Sequence, residues 1–421
     1  MLHTPLHYAL GEPPGPLTEQ MIDAVVAQGI EESDALDWKK ALPPQKEFRD
    51  SDYVKDIAAF ANAGGGVLVF GLTETNKAAD GRHDAGELTE NYERTIRQVC
   101  MTAITPPVFG VQAIAVPSSN GNRAVALVIP ASPDGPHLVY RGDTFGAPLR
   151  TGADTHWMKE PQIEAAYRAR FEGARRGEQA LQQIYDDMAT AVGTGDRAVL
   201  VGAARPRTLR PRTEPRDRVT NTANRATLVT RWWLSGLTKY GPLEDVDIYR
   251  PRPTLSGQYL PPERPDDNRE AHAAIFDDGS VGMSWRAGGH EHEKTGKPYE
   301  PHEVPTIAIE GFTAALLALV HAVAADTPAG DYEILLGVEF ENATSTSPEF
   351  HERGAAPPHG VHRTLSGQFR PVHTTVDPST DDSTFILAAV DLATAALNQV
   401  GIQKPTILSA SLPRRPHEWD W

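Results

Sequence analysis

Apolar positions in the first part of the chain follow two distinct periods. Leu17, Met21, Ala24 and Val25 fall on one side of a 3.6-residue repeat and predict a helix over 17–28. Val54, Ile57, Ala58 and Ala61 do the same over 52–63, and Gly64 follows as the residue that ends the turn. Between these helices, 36–40 reads as a first strand. The unbroken apolar run 67–72 reads as a strand buried on both faces. A helix over 88–102 comes next, then strands at 111–116 and 124–129 around the turn Ser118-Ser119-Asn120-Gly121. Residues 137–141 and 148–151 read as a second hairpin around 142–146. A long polar helix over 160–183 closes a first domain near residue 190.

Beyond it the pattern changes. Residues 191–231 are rich in Arg, Pro and Thr and read as a linker with some strand. Residues 232–421 then read as a second α/β unit, with a hairpin over 273–285 around Asp277-Asp278-Gly279-Ser280. Apolar helices at 309–325 and 385–400 and a strand at 332–340 complete it. One internal echo links Thr254-Leu-Ser-Gly-Gln-Tyr with Thr364-Leu-Ser-Gly-Gln-Phe, either an old duplication or coincidence. The expected fold class is α/β in the α+β sense: a mixed sheet with packed helices over 15–190, then the C-terminal α/β domain.

Composition narrows the function. A chain of 421 residues with 40% hydrophobic and 23% charged residues is of ordinary globular make-up, with room for two or three domains. The longest apolar stretch, 312–325, falls short of the roughly 18 residues that a membrane span needs. The N-terminus lacks a basic region followed by an apolar one, so a soluble, cytoplasmic protein is expected. Cys100 is the only cysteine, which excludes an intrachain disulfide and a cysteine-rich zinc site. The formal net charge of −16 repels nucleic acid on average, so binding would need a local basic patch. Arg205, Arg207, Arg210, Arg212, Arg216, Arg218, Arg225 and Arg231 are candidates, with a solvated linker as the plainer reading.

Glu32 and Asp37 precede the 52–63 helix, and Glu74 follows the apolar run 67–72. Acidic groups placed at strand ends around one core segment can meet at a sheet edge and hold a divalent metal. Gly64–Gly66 lie after a helix and before a strand, the reverse of the order a phosphate cradle needs, which argues against ATP. His290-Glu291-His292 near His302 is a weaker metal candidate in a glycine-rich turn. Trp232-Trp233, behind Arg225 and Arg231, suit either base stacking or the core. Trp419 and Trp421 are open to the same two readings. His137 reads as a structural histidine before a catalytic one.

The segment from Glu32 through Asp37 and Lys39, with Phe60-Ala-Asn62-Ala-Gly64-Gly65 and the strand ending Gly71-Leu72-Thr-Glu74, resembles the Schlafen-type AlbA domain. Val125-Ala-Leu-Val-Ile-Pro130, Pro136-His137, Tyr140-Arg141-Gly142 and Arg150-Thr-Gly152 extend the resemblance, which covers about residues 15–175. It implies nucleic-acid binding, RNA or DNA. In the eukaryotic Schlafen proteins that cleave RNA, three acidic residues coordinate a divalent metal, and Glu32, Asp37 and Glu74 stand at the matching positions. Asp37 and Glu74 differ from the usual Glu and Asp, which changes carboxylate reach by one methylene. The implied cofactor is Mg²⁺ or Mn²⁺, hard cations suited to oxygen ligands. The implied chemistry is metal-dependent cleavage of structured RNA such as tRNA. Lys39, Arg141 and Arg150 are the expected phosphate contacts. The competing expectation is a non-catalytic DNA-binding regulator or a sensor. A single recognisable lobe also suggests a homodimer, and no membrane partner.

Overall fold

The computed structural model describes residues 3–119, 121–141, 144–193, 197–208, 219–237, 241–265, 269–286, 299–326, 330–340, 348–352, 362–364 and 369–412. The chain divides into two compact units, Met1–Arg175 and Arg176–Trp421.

The first unit opens with helices α1 (Pro5–Leu10) and α2 (Glu19–Gln28), the second started by the Thr18 side chain accepting the Met21 N–H. Strand β1 (Leu36–Lys39), helix α3 (Asp52–Asn62) and strand β2 (Gly65–Phe70) form a parallel crossover, with Asp37 in register with Leu68. A hairpin of β3 (Leu72–Thr75) and β4 (Ala78–Arg82) follows, then helix α4 (Glu90–Thr102) and β5 (Ile104–Thr105). Strands β6 (Gln112–Val116) and β7 (Ala124–Pro130) pair antiparallel and complete a sheet of order β1-β2-β7-β6.

Both faces of this sheet are covered, which explains the unbroken apolar run in β2. Val67 and Val69 pack with Leu6, Ile22, Val25 and Trp38 on one side. Leu68 and Phe70 pack with Ile57, Phe60, Ile96 and Leu127 on the other. The glycines at the head of β2 are there for space. A Cβ on Gly66 would sit 2.2 Å from the Phe60 ring and 2.9 Å from the Ala35 carbonyl oxygen. Gly65 has φ +89°, and a Cβ there would lie 2.6 Å from the Ala131 backbone nitrogen.

The expected hairpin joining 137–141 to 148–151 is resolved differently. Strand β8 (Leu138–Arg141) pairs with β9 (Thr144–Gly146), while β10 (Pro148–Thr151) pairs with β11 (Asp154–Trp157). Helix α5 (Glu160–Val192) then carries the chain out of the first unit, and the boundary expected near 190 falls within it.

In the second unit, two described stretches of the expected linker 191–231 are core elements. Strand β12 (Val199–Pro206) lies inside the main sheet, and helix α6 (Val219–Trp233) buries Ala223, Ala226 and Trp233. The remaining elements are β13 (Arg252–Pro253), β14 (Gly257–Leu260), β15 (Ala271–Phe276), β16 (Val281–Arg286), β17 (Glu303–Pro305) and helix α7 (Thr306–Asp326). They are followed by β18 (Tyr332–Glu339), β19 (Glu349–His351), β20 (His362–Thr364), β21 (Val372–Val376) and helix α8 (Asp382–Asn398). Seven strands form an antiparallel sheet of order β13-β14-β15-β16-β12-β18-β21, and β17-β19-β20 form a small second sheet.

Alternation along β12 feeds two cores. Leu200 and Ala204 join α6, α7 and α8, whereas Val199, Val201 and Ala203 meet Leu181, Tyr185 and Met188 of α5. Helix α7 is long and apolar enough to cross a membrane by length and composition, yet almost all of it is buried in this core. Its Glu310, 1% exposed, accepts backbone N–H bonds from Thr406 at 2.9 Å, Ile407 at 2.7 Å and Leu408 at 2.9 Å. Such bonds are what permit a carboxylate there. The second Thr-Leu-Ser-Gly-Gln copy lies outside the described residues after Thr364, as do His290, Glu291, His292, Trp419 and Trp421.

Candidate nucleic-acid interface and the buried carboxylate cluster

Alternation on β1 sends Leu36 and Trp38 to the α2 side of the sheet and Asp37 and Lys39 to the α3 side. There Asp37, 2% exposed, sits among charges from three other segments. Its Oδ2 is 2.6 Å from Lys39 Nζ, and its Oδ1 is 3.2 Å from Arg150 Nη2. Lys39 Nζ is also 3.9 Å from Asp56 of α3. Glu32 stands above this set, with Oε2 4.0 Å from Arg150 Nη2 and Oε1 accepting the Trp38 N–H at 3.1 Å.

Arg150 reaches the cluster from β10. Its Nε donates to the Ser33 carbonyl at 2.8 Å and its Nη2 to the Leu36 carbonyl at 2.9 Å. The guanidinium also lies 4.7 Å from the centre of the Phe60 ring. Asn62 strengthens the same junction. Its side-chain amide donates to the His137 and Pro148 carbonyls at 3.1 and 2.8 Å and accepts the His137 N–H at 2.7 Å. The β10–β11 hairpin is thereby tied to β1 and α3.

Burial and the nearby Asp37 push the Glu32 carboxyl up to about 8, with Glu74 adding to the shift and the Trp38 N–H opposing it. At neutral pH Glu32 therefore keeps its proton beside Asp37. Burial also raises Asp56, against the pull of Lys39. Burial acts to lower the Lys39 ammonium, but Asp37, Asp56 and Glu32 outweigh it and hold it above its ordinary value. Asp37 thus faces two cations, Lys39 and Arg150, and Asp56 approaches Lys39.

Of the three acids expected to hold Mg²⁺ or Mn²⁺, Glu32 and Asp37 come together. The side chains of both are enclosed. Glu74 is exposed on β3, and the three ligand groups do not all lie within 4.8 Å of one another. Lys39 and Arg150 already occupy the Asp37 oxygens, so this donor set does not fit a resident divalent ion without displacing them. Arg150, expected as a phosphate contact, is 5% exposed and its guanidinium is taken up by Ser33, Leu36 and Asp37. Lys39 is an ion-pair partner of Asp37 first. Arg141 is in register with Thr144 at the end of β8, and its side chain lies outside the described residues.

Other candidates resolve as structural. His137 is fully buried, its Nδ1 2.7 Å from the Pro106 carbonyl oxygen, and burial lowers its pKa. Trp232 and Trp233 belong to the second core. Among the candidate arginines, Arg225 pairs with Asp326 at 2.6 Å and Arg231 with Glu244 at 2.5 Å. Arg207 lies 3.7 Å from Glu333, and residues 209–218 fall outside the described residues.

Sequence reasoning missed Asp56 and an aromatic face. Asp56 gave a signal, an acid flanked by the apolar residues of α3. Tyr140 (51% exposed) and Phe145 (61%) are cross-strand partners on β8 and β9, and Trp157 (45%) lies on β11 of the separate β10–β11 pair. The Tyr140 and Phe145 rings are 5.4 Å apart, and the Trp157 ring lies against Gly146, where an added Cβ would meet it at 2.6 Å. His156 and Lys159 are exposed on either side of Trp157 in sequence.

Residues 32–159 match the family described as Schlafen, AlbA_2, in agreement with the resemblance carried by the Glu32–Glu74 and Tyr140–Gly152 segments. Among solved structures, the chain is similar to the N-terminal domain of a RecG-related protein from Nitrosomonas europaea. That pair is 15% identical over 33% of this chain and 89% of the other, with a TM-score of 0.24. It is also similar to the DIP2311 protein from Corynebacterium diphtheriae, 13% identical over 90% of this chain and 79% of the other, with a TM-score of 0.26. No curated protein matches the chain.

Proposed function

We propose that the first unit, with its Schlafen AlbA_2 region over residues 32–159, binds nucleic acid through the exposed rings of Tyr140, Phe145 and Trp157. The family match supports nucleic acid as the partner. The observation that carries this choice is the exposure of the three rings, with Tyr140 and Phe145 paired across β8 and β9, Trp157 against Gly146 of β9, and exposed His156 and Lys159 next to it in sequence. Bases stacked on aromatic rings contribute about 1–3 kcal/mol each, whatever their sequence. An unpaired strand or loop therefore suits this face better than a duplex. With a net charge of −16, the protein gains little from diffuse electrostatics, so stacking has to supply much of the affinity. The buried cluster around Asp37 then serves as scaffold: Arg150 fixes β10, and β10 positions Trp157 on β11.

The test is fluorescence anisotropy of labelled single-stranded RNA and DNA with EDTA present. Trp157→Ala and Phe145→Ala should each weaken binding at least about fivefold, the lower bound of the stacking range, while Glu74→Ala should bind like wild type. Equal affinity in all four proteins would refute this face.

The finer reading, a metal-dependent endoribonuclease acting on structured RNA such as tRNA, draws support from Glu32. A buried carboxyl raised to about 8 beside Asp37 is a place where a cation would relieve repulsion. Glu32, Asp37 and Glu74 would be its Mg²⁺ or Mn²⁺ ligands, but Arg150 and Lys39 would first have to leave Asp37. The reading favoured here is therefore binding without cleavage. Pairing of two chains is part of the proposal, and sedimentation at twice 45.8 kDa would bear it out.

A further inference from the structure

The small sheet of the second unit brings together a different set of donors. Glu303 lies on β17, and Glu349 and His351 lie on the parallel strand β19. Glu303 is in register with Glu349, and His351 is two residues further along the same strand, so all three belong to one face. One donor atom from each residue lies within 4.8 Å of the other two.

The set is held from behind. The His351 side chain is 1% exposed, and its ring meets Tyr299 edge-on at 5.5 Å. His351 Nε2 is 3.0 Å from Glu303 Oε1, while Glu303 Oε2 accepts the Glu300 N–H at 2.7 Å. The Glu349 N–H donates to the His302 carbonyl at 2.9 Å, which fixes the strand beside β17.

We propose that Glu303, Glu349 and His351 bind a first-row divalent ion of the zinc class. An imidazole ion pair accounts for Glu303 and His351 but not for a second carboxylate brought to the same point. Two carboxylates this close repel each other, and a dication relieves that repulsion. One nitrogen and two oxygen donors suit zinc, at bond lengths of about 2.0–2.2 Å. Glu303 and Glu349 are half-buried and can close onto an ion lodged against the fixed imidazole. Three protein ligands leave a fourth position for water or a ligand atom. The site is independent of the nucleic-acid face proposed for the first unit.

The experiment uses the full chain, stripped with a chelator and dialysed, then titrated with zinc ion in competition with a chromophoric chelator. Thermal unfolding is followed with and without zinc. Wild type should bind one equivalent at this site and unfold at a higher temperature with zinc. Glu349→Gln and Glu303→Gln preserve side-chain volume. Glu349→Gln, which relieves the repulsion, should unfold no lower than wild type without metal; each variant should bind zinc at least about tenfold more weakly, as loss of a ligand or its support does, and lose the zinc-dependent rise. The double variant His290→Ala/His292→Ala should retain both properties. No zinc binding by wild type would overturn the proposal, as would wild-type affinity in both glutamine variants.

Discussion

Glu32→Gln isolates the cost of ionising a carboxyl beside Asp37. Glutamine keeps the oxygen that accepts the Trp38 N–H, at 3.1 Å in the wild type, and still offers a donor to Asp37. Glu32 titrates near 4.5 in an open chain and at about 8 in the folded protein. Between these values the folded state holds the extra proton, so stability falls as pH rises through that window and is lowest above it. At about 1.4 kcal/mol per pKa unit, the gap sets a ceiling near 5 kcal/mol. Glu32 is only half-buried as a residue, and solvent screening there roughly halves that, to about 2 kcal/mol. Amide hydrogen exchange in β1 and β2 reports the first unit alone and is the suitable assay. Glu32→Gln should match wild type at pH 5 and exceed it by about 2 kcal/mol at pH 9. Parallel pH profiles for the two proteins would refute the reasoning.

Other perturbations follow from the same contacts. Gly66→Ala places a methyl 2.2 Å from the Phe60 ring and should cost about 1–3 kcal/mol, read as a fall in the unfolding temperature of the first unit. Arg150→Met strips the buried Asp37 of a cation and should cost about 3–5 kcal/mol by denaturant unfolding, with added loss of nucleic-acid affinity as β10 loosens. In the second unit, Glu310→Gln weakens the carboxylate that binds the Thr406, Ile407 and Leu408 amides. It should cost about 1–3 kcal/mol and expose residues 406–408 to faster hydrogen exchange.

Periodicity was a good guide wherever an element packs through one face or through both. The expected helix over 52–63 is observed as Asp52–Asn62, and the expected strand over 332–340 as Tyr332–Glu339. It failed where composition hid an element. Val199–Pro206 sits beside an Arg- and Pro-rich stretch and read as linker, although its apolar alternation feeds two cores. The candidate site was legible in part. Glu32 and Asp37 were found and do meet, and Lys39 does share a face with Asp37. The role of Arg150 was not legible, because it depends on contacts more than a hundred residues apart, to Ser33, Leu36 and Asp37. The aromatic face escaped for a related reason. Tyr140, Phe145 and Trp157 lie on short strands whose pairing differs from the hairpin that spacing suggested.

The most direct test of the central claim is incubation of the purified chain with total tRNA, with Mn²⁺ or with EDTA, read on one native and one denaturing gel. Binding through the aromatic face should give a retarded band under both conditions, with the tRNA intact and the shift lost in Trp157→Ala. Cleavage that requires Mn²⁺ and disappears in Glu32→Ala would contradict it, and would make the carboxylates a catalytic metal site in place of a scaffold.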